Sequence, residues 1–405
     1  MDGMKQKIVS YLEEDYDYLR ELRRDFHRFP EIGEKEYKTA ARIKAELDKL
    51  GLPFHSVAGT GVVAYLDGRR EEAVPLDSAG RPRCLALRAD IDALPLTEGR
   101  ESPYKSQNPG CMHACGHDVH MTSLIGTARI LNRLRDSFSG RIILVFQPGE
   151  ENGYGGKTMV EAGAVAGATR CFGFHIAPEL MRGTMAVVPG SNNASVDWFR
   201  IRIRGTGSHV AYPHQGADAL YMASQIVVAA QSLVTRMCNP TEGLLLSFGR
   251  AEAGTAYNVV ADQATLEGTI RALNPVYRSL LIEKLTELVH HTAALYGGSA
   301  EMEWAENGAM LINTPEAVKE VRLVAKALLG EDKLVERKPA LIGDDMSEFI
   351  NAVSGCYAFI GTQNPERPET AYPLHHVLMD VDEEVFKVSV PVTAAYALAY
   401  MRGEI

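Results

Sequence analysis

Residues 141–151 read RIILVFQPGEE, and the reading of the fold turns on the apolar run from Ile142 to Phe146. Five consecutive apolar residues leave no polar face, which is the signature of a strand buried on both sides in a parallel sheet. GVVAYL (61–66), CLALRA (84–89), TRCFGFHI (169–176) and CYAFIG (356–361) have the same texture. Helical patterns alternate with them. One lies near 4–28, and TAARIKAELDKLG (39–51) ends at Gly51, a residue suited to a helix C-terminus. VHMTSLIGTARILNRLRD (119–136) reads as a crossover helix with Asp118 as its N-cap. This alternation is the grammar of an α/β domain with a mostly parallel sheet.

From residue 192 the grammar changes. WFRIRIRG (198–205) alternates apolar and basic residues with period two, so one face is solvated. A helix follows at 219–237, then strands at 244–253 and 264–273, a helix at 279–297, and a strand at 299–304. Strand–helix–strand–strand–helix–strand is the ferredoxin-like order of a small α+β domain. Parallel-sheet texture returns after 305, and a helix at 383–401 closes the chain. The expected organisation is a catalytic domain of residues 1–191 and 305–405, with residues 192–304 inserted.

The 405 residues carry a formal net charge of -10, which disfavours nucleic acid as a partner because phosphate contacts require clustered Lys and Arg. No apolar run approaches the roughly 18–20 residues that span a bilayer, so no membrane association is expected. The N-terminal stretch reads as a charged amphipathic helix, not a signal peptide. Six irregularly spaced cysteines suit reduced thiols in the cytoplasm better than a disulfide framework.

Polar clusters follow three of the buried runs immediately: ADID (89–92), PGEE (148–151) and His175. In parallel α/β sheets ligands gather at the carboxyl ends of strands, so these clusters converge on one edge. The densest group is CMHACGHDVH (111–120). Cys115 and His117 are two residues apart, and extended backbone places both side chains on one side. A thiolate and an imidazole are competent ligands for divalent transition metals. Glu150 and Glu151 supply the two carboxylates that a metallohydrolase divides between holding metal and accepting a proton. Alone, each of these features also has an ordinary reading, as a polar loop, a solvated charge pair or a structural histidine.

RRDFHRFPEIGEKEYKTA (23–40), LRADIDALPL (87–96), MHACGHDVH (112–120), FQPGEENGYGGKTMVEAG (146–163), GTGSHVAYPH (205–214), GTAYNVVADQATLEGTIR (254–271) and PLHHV (373–377) together resemble a known superfamily. It is that of the metal-dependent aminoacylase and carboxypeptidase G hydrolases, and within it the subgroup of auxin-conjugate hydrolases and N-acyl-amino-acid amidohydrolases. The resemblance runs nearly end to end. It implies two divalent metal ions, Mn2+ or Zn2+ first and Co2+ or Ni2+ next. Cys115 would bridge them, His117 and His175 would complete one, and Glu151 and His375 the other. Glu150 would be the general base. His209 would act on substrate from the inserted lid domain, with Asn258 and Arg271 as substrate-binding residues. Asp90 would orient a metal ligand. A homodimer through the lid is implied as well.

Ser208, Ala219, Asn152 and GDDMSEF (343–349) depart from the subgroup's pattern, the last where substrate would sit. The expected substrate is an N-acyl amino acid or related conjugate, with a dipeptide or short peptide as the alternative. A catalytically dead relative would not need the Glu150–Glu151 pair, and a cysteine nucleophile would leave that pair unexplained.

Overall fold

In the computed structural model, which describes residues 2–239 and 241–405, the chain separates into two compact units. The first unit runs to Gly190 and resumes at Ile312–Arg337 and Asp345–Ile405; the second is Ser191–Leu311 with Lys338–Asp344.

The first unit begins with helices α1 (Asp2–Arg28) and α2 (Tyr37–Lys49), followed by β1 (Phe54–Val57), β2 (Gly61–Asp67) and β3 (Cys84–Asp90). Then come α3 (His117–Arg133), β4 (Arg141–Gln147), α4 (Gly155–Glu161), β5 (Arg170–Met181) and β6 (Met185–Ala186). The second unit holds β7 (Ser195–Arg204), α5 (Ala219–Ser232), β8 (Leu244–Ala253), β9 (Gln263–Ala272), α6 (Pro275–Leu295) and β10 (Ser299–Gly308). The chain returns to the first unit with α7 (Pro315–Leu329), α8 (Met346–Val353), β11 (Gly355–Gln363) and α9 (Phe386–Met401).

The large sheet has the order β1-β2-β4-β3-β5-β11-β6. Its centre is parallel: β3 pairs with β4 and β5, and β5 with β11, while the outer strands run antiparallel. Ile142 to Phe146 are all buried, as a strand covered on both faces requires. Helix α9 is likewise buried nearly throughout, which explains why its sequence is apolar all round. Helix α3 begins at His117, and Asp118 lies inside its first turn. The expected capping role of Asp118 is therefore replaced by buried ion pairs described below.

The four-stranded sheet of the second unit has the order β10-β7-β9-β8, all antiparallel. Phe199, Ile201 and Ile203 point into its helix-covered core, and the intervening arginines pair with Glu267 and Glu303 on the other face. Asp218 caps α5 by accepting from the Leu220 and Tyr221 amides, and Asn274 caps α6 through Val276. The boundary expected at 304 moves to Leu311 because β10 runs on through the alternating residues after Trp304. Lys338–Asp344 joins this unit through a backbone hydrogen bond from Ala340 to the Asn192 carbonyl (2.9 Å).

Candidate metal centre

The three strand-end clusters of the first unit do meet. The ends of β3, β4 and β5 lie side by side in the parallel part of the sheet, and the loop before α3 crosses them. Cys115, His117 and His175 bring one potential ligand atom each within 4.8 Å of one another, and so do Cys115, Glu151 and His375. Cys115 is common to both triads. Its Sγ lies 3.4 Å from His175 Nε2, and His375 Nε2 lies 3.3 Å from Glu151 Oε1. Glu150 reaches the same centre, with Oε2 3.9 Å from His117 Nε2.

Two of the imidazoles, those of His175 and His117, are turned by a bond on the far nitrogen. His175 Nδ1 pairs with the Ile176 carbonyl (2.7 Å), which leaves Nε2 facing Cys115. His117 Nδ1 lies 2.9 Å from the Asp92 carbonyl and 3.2 Å from its carboxylate. The other Asp92 oxygen accepts the Glu151 amide at 3.0 Å. One carboxylate thus fixes a histidine and a glutamate of the centre together. His375 has a left-handed backbone (φ 64°), held by a bond from its amide to the Ala114 carbonyl (2.8 Å) next to Cys115.

Asp90 does something other than expected. Its oxygens accept from Arg88 Nη1 and His120 Nδ1 (2.7 and 2.6 Å), and it stays 3.8 Å from His117 Nε2. The bond expected of Asp90 to a ligand is made by Asp92. Asp90 acts one residue further out: it orients His120, whose Nε2 accepts the Ile176 amide at 3.0 Å and whose ring packs edge-on against His175. With both nitrogens engaged, His120 has no atom left to bind a metal.

The sequence pattern of peptidase family M20/M25/M40 matches residues 86–399. The chain belongs to this family. It is a metal-dependent hydrolase acting on amide bonds. It is similar to thermostable carboxypeptidase 1 of Saccharolobus solfataricus (34% identity over 98% of both chains). It also resembles an N-acetyl-L-cysteine deacetylase of Bacillus subtilis (34% identity, covering 89% of this chain and 83% of that one). Among solved structures, a dinuclear metal-binding M20 peptidase of Bacillus subtilis superposes with a TM-score of 0.83 and 31% identity, covering 96% of this chain and 99% of that one.

The donor set can be tested against the metal chemistry of an M20 hydrolase. A tetrahedral ion with bonds of about 2.0–2.3 Å sets neighbouring ligand atoms roughly 3.3–3.8 Å apart, and the Cys115–His175 and Glu151–His375 separations fall in that range. Among the described residues, His117 Nε2 is buried without a hydrogen-bond partner and Glu151 Oε1 is buried with the His375 imidazole beside it, a cost that a bound cation would remove. Burial pushes the Cys115 thiol well up, and the Glu151 charge adds to the effect. Burial also acts on His117, but the neighbouring Asp90 and Cys115 outweigh it and hold the imidazole well above its ordinary value. Without a cation this centre keeps protons that a cation would displace. The residues fit.

In the second unit, His209 and Asn258 sit on adjoining exposed turns. The Val210 amide bonds the Asn258 carbonyl (3.2 Å), and the Ala211 amide donates to His209 Nδ1 (3.0 Å), so Nε2 carries the proton of a neutral ring. Arg271 is half-buried on β9. Burial lowers its pKa, and Asp197, whose charge works the other way, pairs bidentately with Arg278.

Sequence reading missed Asp92, and the alternation in ADID was the available signal, since Asp90 and Asp92 share a side. It also missed the ion cluster behind the centre. Fully buried Arg23 on α1 meets Asp118 (2.8 Å), Asp380 (3.3 Å) and Glu383 (3.6 Å), and His27 Nδ1 meets Asp118 at 2.8 Å. Asp118 adjoins His117 and Asp380 follows the His375 loop, so Arg23 ties two ligand-bearing segments together. Nothing in the local pattern of α1 marks this arginine apart from its neighbours.

Proposed function

We propose that the protein hydrolyses the amide bond of N-acyl amino acids or related amino-acid conjugates at a site holding two divalent cations, Mn2+ or Zn2+ before Co2+ or Ni2+. The observation that carries this is Cys115 standing in both the Cys115–His117–His175 and the Cys115–Glu151–His375 triads, with Glu150 close beside them. His117 and His175 would hold one ion, Glu151 and His375 the other, and Cys115 both. When bound, such ions lower the pKa of a water and polarise the scissile carbonyl.

The chain's own residues supply the rest. Glu150 takes the proton from the attacking water and passes it to the leaving amine. His209, through its outward Nε2–H, donates to the oxyanion. Asn258 helps to hold substrate. Arg271, a half-buried guanidinium, binds the carboxylate of the amino-acid half. An acyl cap is favoured over a free peptide amine because Asp345, a further carboxylate close to Glu150, is already engaged by Arg88, Gln147 and the Gly156 amide. Asp90 and Asp92 are likewise spent on histidines.

A homodimer through the inserted unit is supported by Leu220, Tyr221 and Val228, all exposed on α5, and by β8, an edge strand open to pairing. Light scattering that finds a monomer at micromolar concentration would remove the dimer.

The test is a metal-reconstituted assay of N-acetyl amino acids against the matching free dipeptides. Faster turnover of the acylated series is expected; hydrolysis confined to free dipeptides would move the reading to the dipeptidase. Glu150→Gln should keep both ions and lower kcat by about 10²–10⁴-fold, and near-normal turnover would refute the base.

A further inference from the structure

Glu36 is fully buried at the start of α2, yet its carboxylate does not cap that helix. It points instead at two donors: Thr60 Oγ1 at 2.6 Å and the amide of Gly149 at 2.9 Å. Among the described residues, no cation pairs with it. Burial raises its pKa, and the nearby Asp92 charge pushes the same way. A buried carboxyl without a counter-ion costs stability unless its hydrogen bonds repay it, so the identity of its partners is informative. Gly149 is the left-handed residue (φ 62°) immediately before Glu150, where a side chain would be strained.

On the other side of Glu150, the Glu151 amide is held by Asp92 (3.0 Å). Glu150 therefore stands between two amides, each pinned by a buried carboxylate. The segment carrying Glu36 presses on the same turn: a Cβ at Gly33 would lie 3.2 Å from Gly149 Cα and 2.6 Å from the Asn152 side chain.

We infer that Glu36 is a positioning residue for the general base, fixing the Gly149 turn so that the Glu150 carboxylate stays at its working distance from the metal centre. The inference rests on the reading of Glu150 as base. Misplacement of a reacting group by about 1 Å can cost roughly 10²-fold, and the Gly149 turn that Glu36 holds leads directly into Glu150.

The experiment is steady-state kinetics with metal analysis on the loaded enzyme. Glu36→Leu should lower kcat at least about tenfold while KM and metal content stay unchanged. Glu36→Gln, which still accepts the Gly149 amide, should recover to within about threefold of the parent. In a Glu150→Asp background, whose carboxylate is already displaced, Glu36→Leu should cost less than about threefold further, because the two changes act through one group. Unchanged kcat, the same loss in both backgrounds, or a loss that follows metal content would each overturn the inference. Should Glu36→Leu fail to fold, Gly33→Ala pushes on the same turn from outside. It should lower kcat about threefold or more with metal retained, and an unchanged kcat there would overturn the inference too. If Glu150→Gln itself keeps turnover, the base assignment has failed; if Glu150→Gln is dead and Glu36→Leu is normal, only the positioning role has.

Discussion

The two units treat charge in opposite ways. In the first, Arg23 is wholly buried among Asp118, Asp380 and Glu383, and Cys115, His117 and His175 are buried, the two histidines with their far nitrogens engaged. In the second, Arg200 and Arg202 form a half-exposed ladder with Glu267 and Glu303, and His209 and Asn258 stand open on their turns. A buried network holds its members in one geometry and is costly to break, because each deletion strands an uncompensated charge. An exposed ladder is screened by water and contributes little. Ligand geometry is therefore built into the fold of the first unit, whereas the second unit presents its polar groups to solvent.

The contrast breaks first at the arginines. Arg23→Met should cost about 3–5 kcal/mol of stability, read as a loss of denaturant midpoint, with the ligand loops loosened. A cost below about 1 kcal/mol would show that the buried cluster is not organising the unit. His209→Ala is next: on an exposed turn it should leave the melting temperature where it was, yet lower kcat about 10²–10³-fold if His209 donates to the oxyanion. Unchanged kcat/KM would remove His209 from the reaction. Asp92→Ala should reduce metal affinity or activity about 10–100-fold, as loss of a bond behind a metal ligand does, and an equal loss in Asp90→Ala would erase the distinction between the two aspartates. Arg202→Ala, on the ladder, should move stability by no more than about 0.5 kcal/mol.

Much of this was legible before any coordinates. The buried runs at 84–89, 142–146 and 169–176 carry their burial in their composition, and strand ends are where parallel sheets gather ligands. Once those strands are adjacent, Cys115, Glu150, Glu151 and His175 come together, and His375 follows because its amide bonds Ala114. What was not legible shares one cause: it depends on contacts between segments far apart in sequence. Arg23 and Glu36 sit in patterns that read as solvated, and only the packing of α1 against α3 and of the 31–36 segment against the Gly149 turn buries them. His120, in the densest ligand-like cluster, is spent on Asp90 and a backbone amide. Lys338–Asp344 has no periodicity to announce that it leaves the catalytic unit.

The most direct test is elemental analysis of the metal-reconstituted protein beside its Cys115→Ala variant. The account predicts two divalent ions per chain in the parent and loss of at least one in the variant, since Cys115 alone stands in both triads. Two ions bound in each protein, or none in the parent, would contradict it.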